Sequence, residues 1–132
     1  MNEIKQNTHL ETSEKFVGAV VALENEKATV ELTIIKEMIV DNFGLAHGSF
    51  IFGLADYAAM LSINEPTVVL GKAEIKFLKP VKLGDKLKAE AAIINRVNEK
   101  KILVKSVVYS RSTLVFEGEF VCFVLEKHVL DY

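Results

Sequence analysis

The sequence predicts an α+β domain in which a six-stranded antiparallel sheet wraps around one long central helix. Three observations predict it. The stretch from His47 to Asn64, HGSFIFGLADYAAMLSIN, is apolar at almost every position. Runs rich in β-branched residues stand on both sides of it, divided by short turn signals. The chain has 132 residues, 50% of them hydrophobic, which suits one domain built on one core.

The elements follow in order. Residues 1–15, MNEIKQNTHLETSEK, are polar and mixed in charge, and are expected to form a flexible, solvated leader. The single domain then runs over 16–132. Phe16 to Leu23 is an apolar run with charges at both ends and reads as a strand. Glu24-Asn25-Glu26 signals a turn. Lys27 to Ile35 returns with Thr29, Glu31 and Thr33 alternating against Val30, Leu32 and Ile34, the pattern of a half-buried strand and hence of a hairpin. Lys36 to Ala46 is a connection.

The central helix follows. Apolar on every face, it must be buried on every face. At about 16 residues it is roughly 24 Å long, short for a membrane span. It ends near Asn64-Glu65-Pro66, because proline disfavours helical geometry in the residue before it. Beyond Pro66 everything reads as strand: Thr67 to Leu78, Lys86 to Val97, Lys101 to Ser110 and Thr113 to Glu126, a four-stranded meander divided by Gly84-Asp85, Asn98-Glu99-Lys100 and Arg111-Ser112. Six strands around one helix leave sheet edges and part of the helix uncovered, which predicts at least a homodimer formed by edge pairing.

Charge and composition exclude several function classes. Charged residues make up 26% and the net charge is −2, so no electrostatic footprint for nucleic acid exists. Cys122 is the only cysteine and has no disulfide partner within the chain, which fits a reducing compartment. The leader lacks an apolar signal region, so a cytoplasmic protein without a membrane partner is expected. His9, His47 and His128 are too scattered for metal-ligand spacing. With no Gly-rich phosphate loop or Gly-x-Ser-x-Gly elbow, no metal or cofactor is expected.

Between Gly48 and Asn64 one ionisable acid stands, Asp56. A carboxylate in such surroundings costs free energy unless it is paired, neutral or used. Two segments then carry a resemblance. Residues 41–56, DNFGLAHGSFIFGLAD, are similar to the N-x-x-G-x-x-H-G-G-x-x-x-x-L-x-D pattern of phenylacetyl-CoA-type thioesterases. Residues 73–89, AEIKFLKPVKLGDKLKA, resemble the strand-Pro-Val-x-x-Gly-Asp-strand segment of the wider hotdog-fold superfamily. The resemblance implies the hotdog fold and a function as an acyl-CoA thioesterase, with acyl-CoA as substrate or ligand, fatty acid metabolism as its setting and a site shared across a dimer. The chain departs from the pattern at two places. Asp41 stands where the family has asparagine, with Asn42 one residue late, and Ser49 replaces the second glycine.

Thioester hydrolysis needs donors for the carbonyl oxygen, a carboxylate to attack or activate water, and a slot for the acyl chain. The start of the helix offers unpaired N–H groups and a dipole that favours negative charge. Gly48, without a side chain, lets a carbonyl approach, and His47 and Ser49 flank it as substrate-binding candidates. The alternative is a tight helix entry capped by Ser49. Asp56 is the candidate base or nucleophile, its pKa raised by desolvation. Its alternative is a satisfied core aspartate bonded to backbone or to Tyr57. Asn42 or Asp41 would hold the attacking water; for both, the alternative is an Asx turn. Lys72, Lys76, Lys79 and Lys82 either meet coenzyme A phosphates or form a solvated face.

Eight positions separate Gly48 from Asp56, placing them about 12 Å apart along the helix on faces differing by roughly 80°. One helix does not aim both at one carbonyl; two antiparallel helices do, Gly48 of one subunit facing Asp56 of the other. A competing reading is an acyl-CoA-binding or sensing protein, since the C-terminal half also resembles the effector domain of a malonyl-CoA-sensing repressor of fatty-acid synthesis. That family has asparagine at the position of Asp56.

Overall fold

The structure, a computed structural model, describes residues 4–132. A short helix α1 (Glu14–Val17) leads into β1 (Ala19–Glu24) and β2 (Lys27–Thr33). A 3-10 turn (Lys36–Met38) and a loop then reach α2 (Gly48–Ile63). Four strands follow: β3 (Val68–Phe77), β4 (Lys86–Arg96), β5 (Lys101–Ser110) and β6 (Thr113–Val124). All pairings are antiparallel in one six-stranded sheet of order β1-β2-β4-β5-β6-β3. The hotdog architecture predicted from the sequence is the one observed.

The expected meander needs correction. Of its four strands only β4, β5 and β6 are consecutive neighbours; β3 crosses to the far side and pairs with β6, Val68 opposite Val124 and Phe77 opposite Phe116. Alternation of polar and apolar residues reports a strand's faces but not its neighbour, so nothing local distinguished the two orders. The crossing makes β3 an edge.

The strand expected from Phe16 begins only at Ala19. Ser13 caps α1 by accepting the Phe16 N–H, and Gly18 ends it at φ 123°. A Cβ on Gly18 would lie 2.6 Å from Val30 Cγ1 and 2.9 Å from Leu54 Cδ1, so only glycine lets the chain turn this close to the core.

The sheet curls around α2. Leu54, Ala55, Ala58, Ala59 and Leu61 are fully buried, and they meet the inward faces of the strands, including Val30, Leu87, Val104, Phe116 and Phe120. Phe52 stacks on Phe120 with ring centroids 5.7 Å apart. Ser106, fully buried on β5, donates its hydroxyl to Ala55 O at 2.9 Å, tying the sheet to the helix one residue before Asp56.

The leader is also corrected. From Lys5 onward it is tied to the C-terminal end of α2: the Asn7 N–H donates to Asn64 Oδ1 (2.7 Å), Asn64 Nδ2 to Lys5 O (2.8 Å) and Gln6 Nε2 to the Tyr57 hydroxyl (3.2 Å). Thr8 is buried at 4% exposure. Polar composition concealed this, because hydrogen bonds rather than apolar burial hold the segment. The remaining part of the leader, residues 1–3, lies outside the described residues.

Candidate active site

Two hydrogen-bonded loops build the entrance to α2. Ile39 bridges Ala46 and Leu45 bridges Lys82; the Ala46 N–H donates to Val81 O and the His47 N–H to Met38 O, both at 2.8 Å. His47 is the N-cap. Its Nδ1 accepts the Ser49 N–H at 3.0 Å, which fixes the ring proton on Nε2 in the neutral form. The Phe50 N–H goes to His47 O at 3.2 Å. Ser49, expected either to cap or to bind, does not cap: its side chain is exposed and its N–H is taken by His47.

Gly48 is different. Among the described residues its N–H meets no acceptor. Gly48 also lines an open cleft of about 280 Å³ with Ile51, Phe77, Leu78, Pro80 and Val81. A Cβ here would sit 3.0 Å from Phe77 Cε1. The helix therefore starts with one unused donor beside an apolar cleft.

Asp41 and Asn42 are not at this cleft wall. Asp41 Oδ1 accepts the N–H groups of Phe43 (3.0 Å) and Leu45 (3.2 Å), so its carboxylate closes the Asx turn that sequence reasoning held as the alternative. Asn42 is exposed on the same loop. Neither carboxylate nor amide is drawn toward Gly48 within the chain.

Asp56 stands two turns further along α2. Its Oδ1 is buried without a hydrogen-bond partner among the described residues, and the hydroxyl of Tyr57, the expected alternative partner, accepts from Gln6 Nε2 instead. Burial pushes the Asp56 carboxyl up to about 6. Burial and then the Asp56 charge push the thiol of Cys122, on β6, up to about 12. Cys122 is inert in that state. Asp56 does not line the Gly48 cleft. One chain thus supplies an unused donor and an unused carboxylate but does not bring them together.

Among the described residues no cluster of His, Cys, Asp or Glu is arranged to hold a metal ion, and no helix is long and apolar enough to cross a membrane.

Comparison with known proteins supplies the family. The thioesterase superfamily model matches residues 43–122. Methylthioribose-1-phosphate isomerase of Aquifex aeolicus is 43% identical over 86% of this chain, which spans 25% of that protein. Transcription factor FapR of Staphylococcus aureus is 32% identical over 83% of this chain and is matched over 60% of its own length. The chain thus spans about a quarter of the first curated relative and three fifths of the second, less than two thirds of either. The crystal structure of uncharacterized protein PH1136 from Pyrococcus horikoshii is 56% identical, covers 99% of this chain and 100% of its own, and superposes with a TM-score of 0.97. By this match and by its architecture, the chain belongs to the thioesterase superfamily and has the hotdog fold.

Proposed function

We propose that this protein hydrolyses acyl thioesters, with Asp56 as base or nucleophile and the Gly48 N–H as the donor to the carbonyl oxygen. The observation that carries the reading is the orphaned Asp56 oxygen inside an otherwise apolar helix, a costly arrangement that a role in reaction explains. Ionised, Asp56 takes a proton from water, or attacks the carbonyl itself. Negative charge then grows on the carbonyl oxygen, where the Gly48 N–H and the start of α2 stabilise it. Collapse of this intermediate breaks the C–S bond. The thiolate takes up a proton. Where water attacked, the acyl group leaves as a carboxylate; where Asp56 attacked, it stays on Asp56 as a mixed anhydride until water hydrolyses it to the free carboxylate and restores Asp56.

The site is shared in a homodimer, whether or not dimers pair further. Support comes from the separation of Gly48 and Asp56 on one helix and from the free edge of β3. Release of free thiol from a panel of acyl-CoAs tests the hydrolysis; turnover that survives Asp56→Asn unchanged removes Asp56 from the mechanism. Mixing Asp56→Ala with Gly48→Val subunits tests the sharing, since each mixed dimer regains one intact site. No recovery would rule it out.

A second reading has its own support. Likeness to FapR, a transcription factor, and the engagement of Asp41 in its own turn favour a binding protein that holds an acyl thioester without positioning water. Tight binding without turnover would establish it.

A further inference from the structure

The sheet leaves one side of α2 uncovered, and only in its first half. From Tyr57 to Ile63 every residue of the helix is buried, and before them so are Ile51, Leu54 and Ala55. Gly48, Phe50, Phe52, Gly53 and Asp56 are half-buried, and Ser49 is exposed. At about 100° per residue these six fall on one side of the helix. Ser49 and Asp56 mark the centre line of that side. Seven positions turn the helix through roughly 700°, so the two directions differ by only about 20°. Phe52 and Gly53 stand to either side of the line.

Each end of the line lacks a partner. Asp56 Oδ1 meets no donor among the described residues. The Ser49 N–H is taken by His47 Nδ1, but the Ser49 hydroxyl makes no hydrogen bond among the described residues. Within one chain the two do not meet, because seven residues set them about 10.5 Å apart along the helix.

The uncovered side is its own complement. A second copy laid antiparallel along the line is related to the first by a two-fold axis midway between Ser49 and Asp56. That axis sets each Ser49 opposite the other subunit's Asp56, and each Gly53 opposite its own counterpart. A Cβ on Gly53 would meet nothing within 4 Å, so the crossing point has open space, and the missing side chains let two backbones approach. Gly48 then stands one residue from the position opposite Asp56, as the shared site requires.

We propose that the Ser49 hydroxyl of one subunit donates a hydrogen bond to the Asp56 carboxylate of the other and so holds that carboxylate in the direction of attack. Ser49 is thus a positioning residue. The glycine that stands here in the phenylacetyl-CoA-type pattern has no hydroxyl to give, so the device comes from this chain's own departure from the pattern. Its part in turnover rests on the thioesterase reading; the facing of the two residues rests only on the paired helices.

Cross-linking tests the placement without turnover. In a Cys122→Ala background, which removes the other thiol, Ser49→Cys/Asp56→Cys is oxidised with diamide and run on a non-reducing gel, and a thermal melt checks that it is folded. A covalent dimer is expected, since a disulfide needs Cα atoms within roughly 7 Å and one helix does not bring these two so close. Ser49→Cys alone should stay monomeric. Monomer alone from the double variant overturns the placement. NMR titration of the Asp56 carboxyl carbon tests the bond. Ser49→Ala and Ser49→Gly should titrate about one pH unit above wild type, because the donor favours the charged form. Ser49→Thr, which keeps the hydroxyl, should return to the wild-type value. A titration that Ser49→Ala leaves unmoved overturns the bond. With an acyl-CoA, Ser49→Ala should lower kcat about tenfold at unchanged KM, the worth of a hydrogen bond to a charged group. Cross-link and titration shift without any wild-type turnover end the hydrolysis and leave the contact. Turnover with neither of them ends the contact and leaves the hydrolysis.

Discussion

The two ends of α2 obey opposite rules. Toward the C-terminal end the polar side chains Tyr57, Ser62 and Asn64 all have hydrogen-bond partners. Asn64 takes the left-handed conformation (φ 57°), sends its N–H to Met60 O, and joins its side chain to the leader in both directions. Ser62 bonds back to Ala59 O at 2.7 Å, and Tyr57 holds Gln6. At the N-terminal end His47 spends its ring on Ser49, while the Gly48 N–H is left free at an open cleft. Two turns on, Asp56 is left free as well. Saturation marks the end that serves stability. Shortage marks the end to which the proposed chemistry is assigned, and shortage costs stability.

The largest effect expected is on turnover. Asp56→Ala should lower kcat/KM for an acyl thioester by about 10²–10⁴, the range of a lost acid–base group; steady-state kinetics reads it, and a small loss would erase the contrast between the two ends. Gly48→Val comes next. Its side chain would press on Phe77, and misplacing the substrate should cost about tenfold to hundredfold, mostly as a raised KM.

The pH dependence follows from Asp56 standing at about 6. Turnover should rise as pH passes through about 6 and level off above it, because the ionised form reacts. Stability runs the other way. The folded pKa lies above the unfolded value of 3.8, so the folded state binds the proton more tightly. Asp56 therefore costs almost nothing below pH 3.8, its cost builds as pH rises from 3.8 to about 6, and it stays level above that. Asp56→Asn should raise stability at pH 8 by on the order of 2 kcal/mol, and the gain should vanish near pH 4, as denaturant titrations at both pH values would reveal. Smallest is Asn64→Ala, which removes the left-handed cap and both leader bonds. A loss of about 1–2 kcal/mol with faster amide exchange in residues 5–9 is expected; unchanged exchange would show that the strap is not tied by Asn64.

How much of this was legible depended on range. The helix was read to within a residue, because its apolar run, Gly48 and Pro66 are local signals. The β1–β2 hairpin was legible for the same reason, save that Phe16 and Val17 looked like strand while Ser13 and Gly18 were closing a helical turn. The place of β3 was not legible, since pairing with β6 joins residues such as Val68 and Val124 with no local mark. In the site, Asp56 and Gly48 stood out by type. The role of Asp41 was decided by two backbone N–H groups close at hand, and only geometry could choose between turn and water.

The crossing of β3 has one more consequence. The sheet ends in two unlike margins: β1 has six residues and β3 has ten, each with one register shift, at Val20/Ala22 and at Leu70/Lys72. Were the long margin to match the short one on another molecule, growth would continue into a fibre, each added copy presenting a fresh margin. Two long margins laid against each other use both up, and growth stops. The short margin is the poorer template, so the inequality favours the closed pair proposed above over polymer.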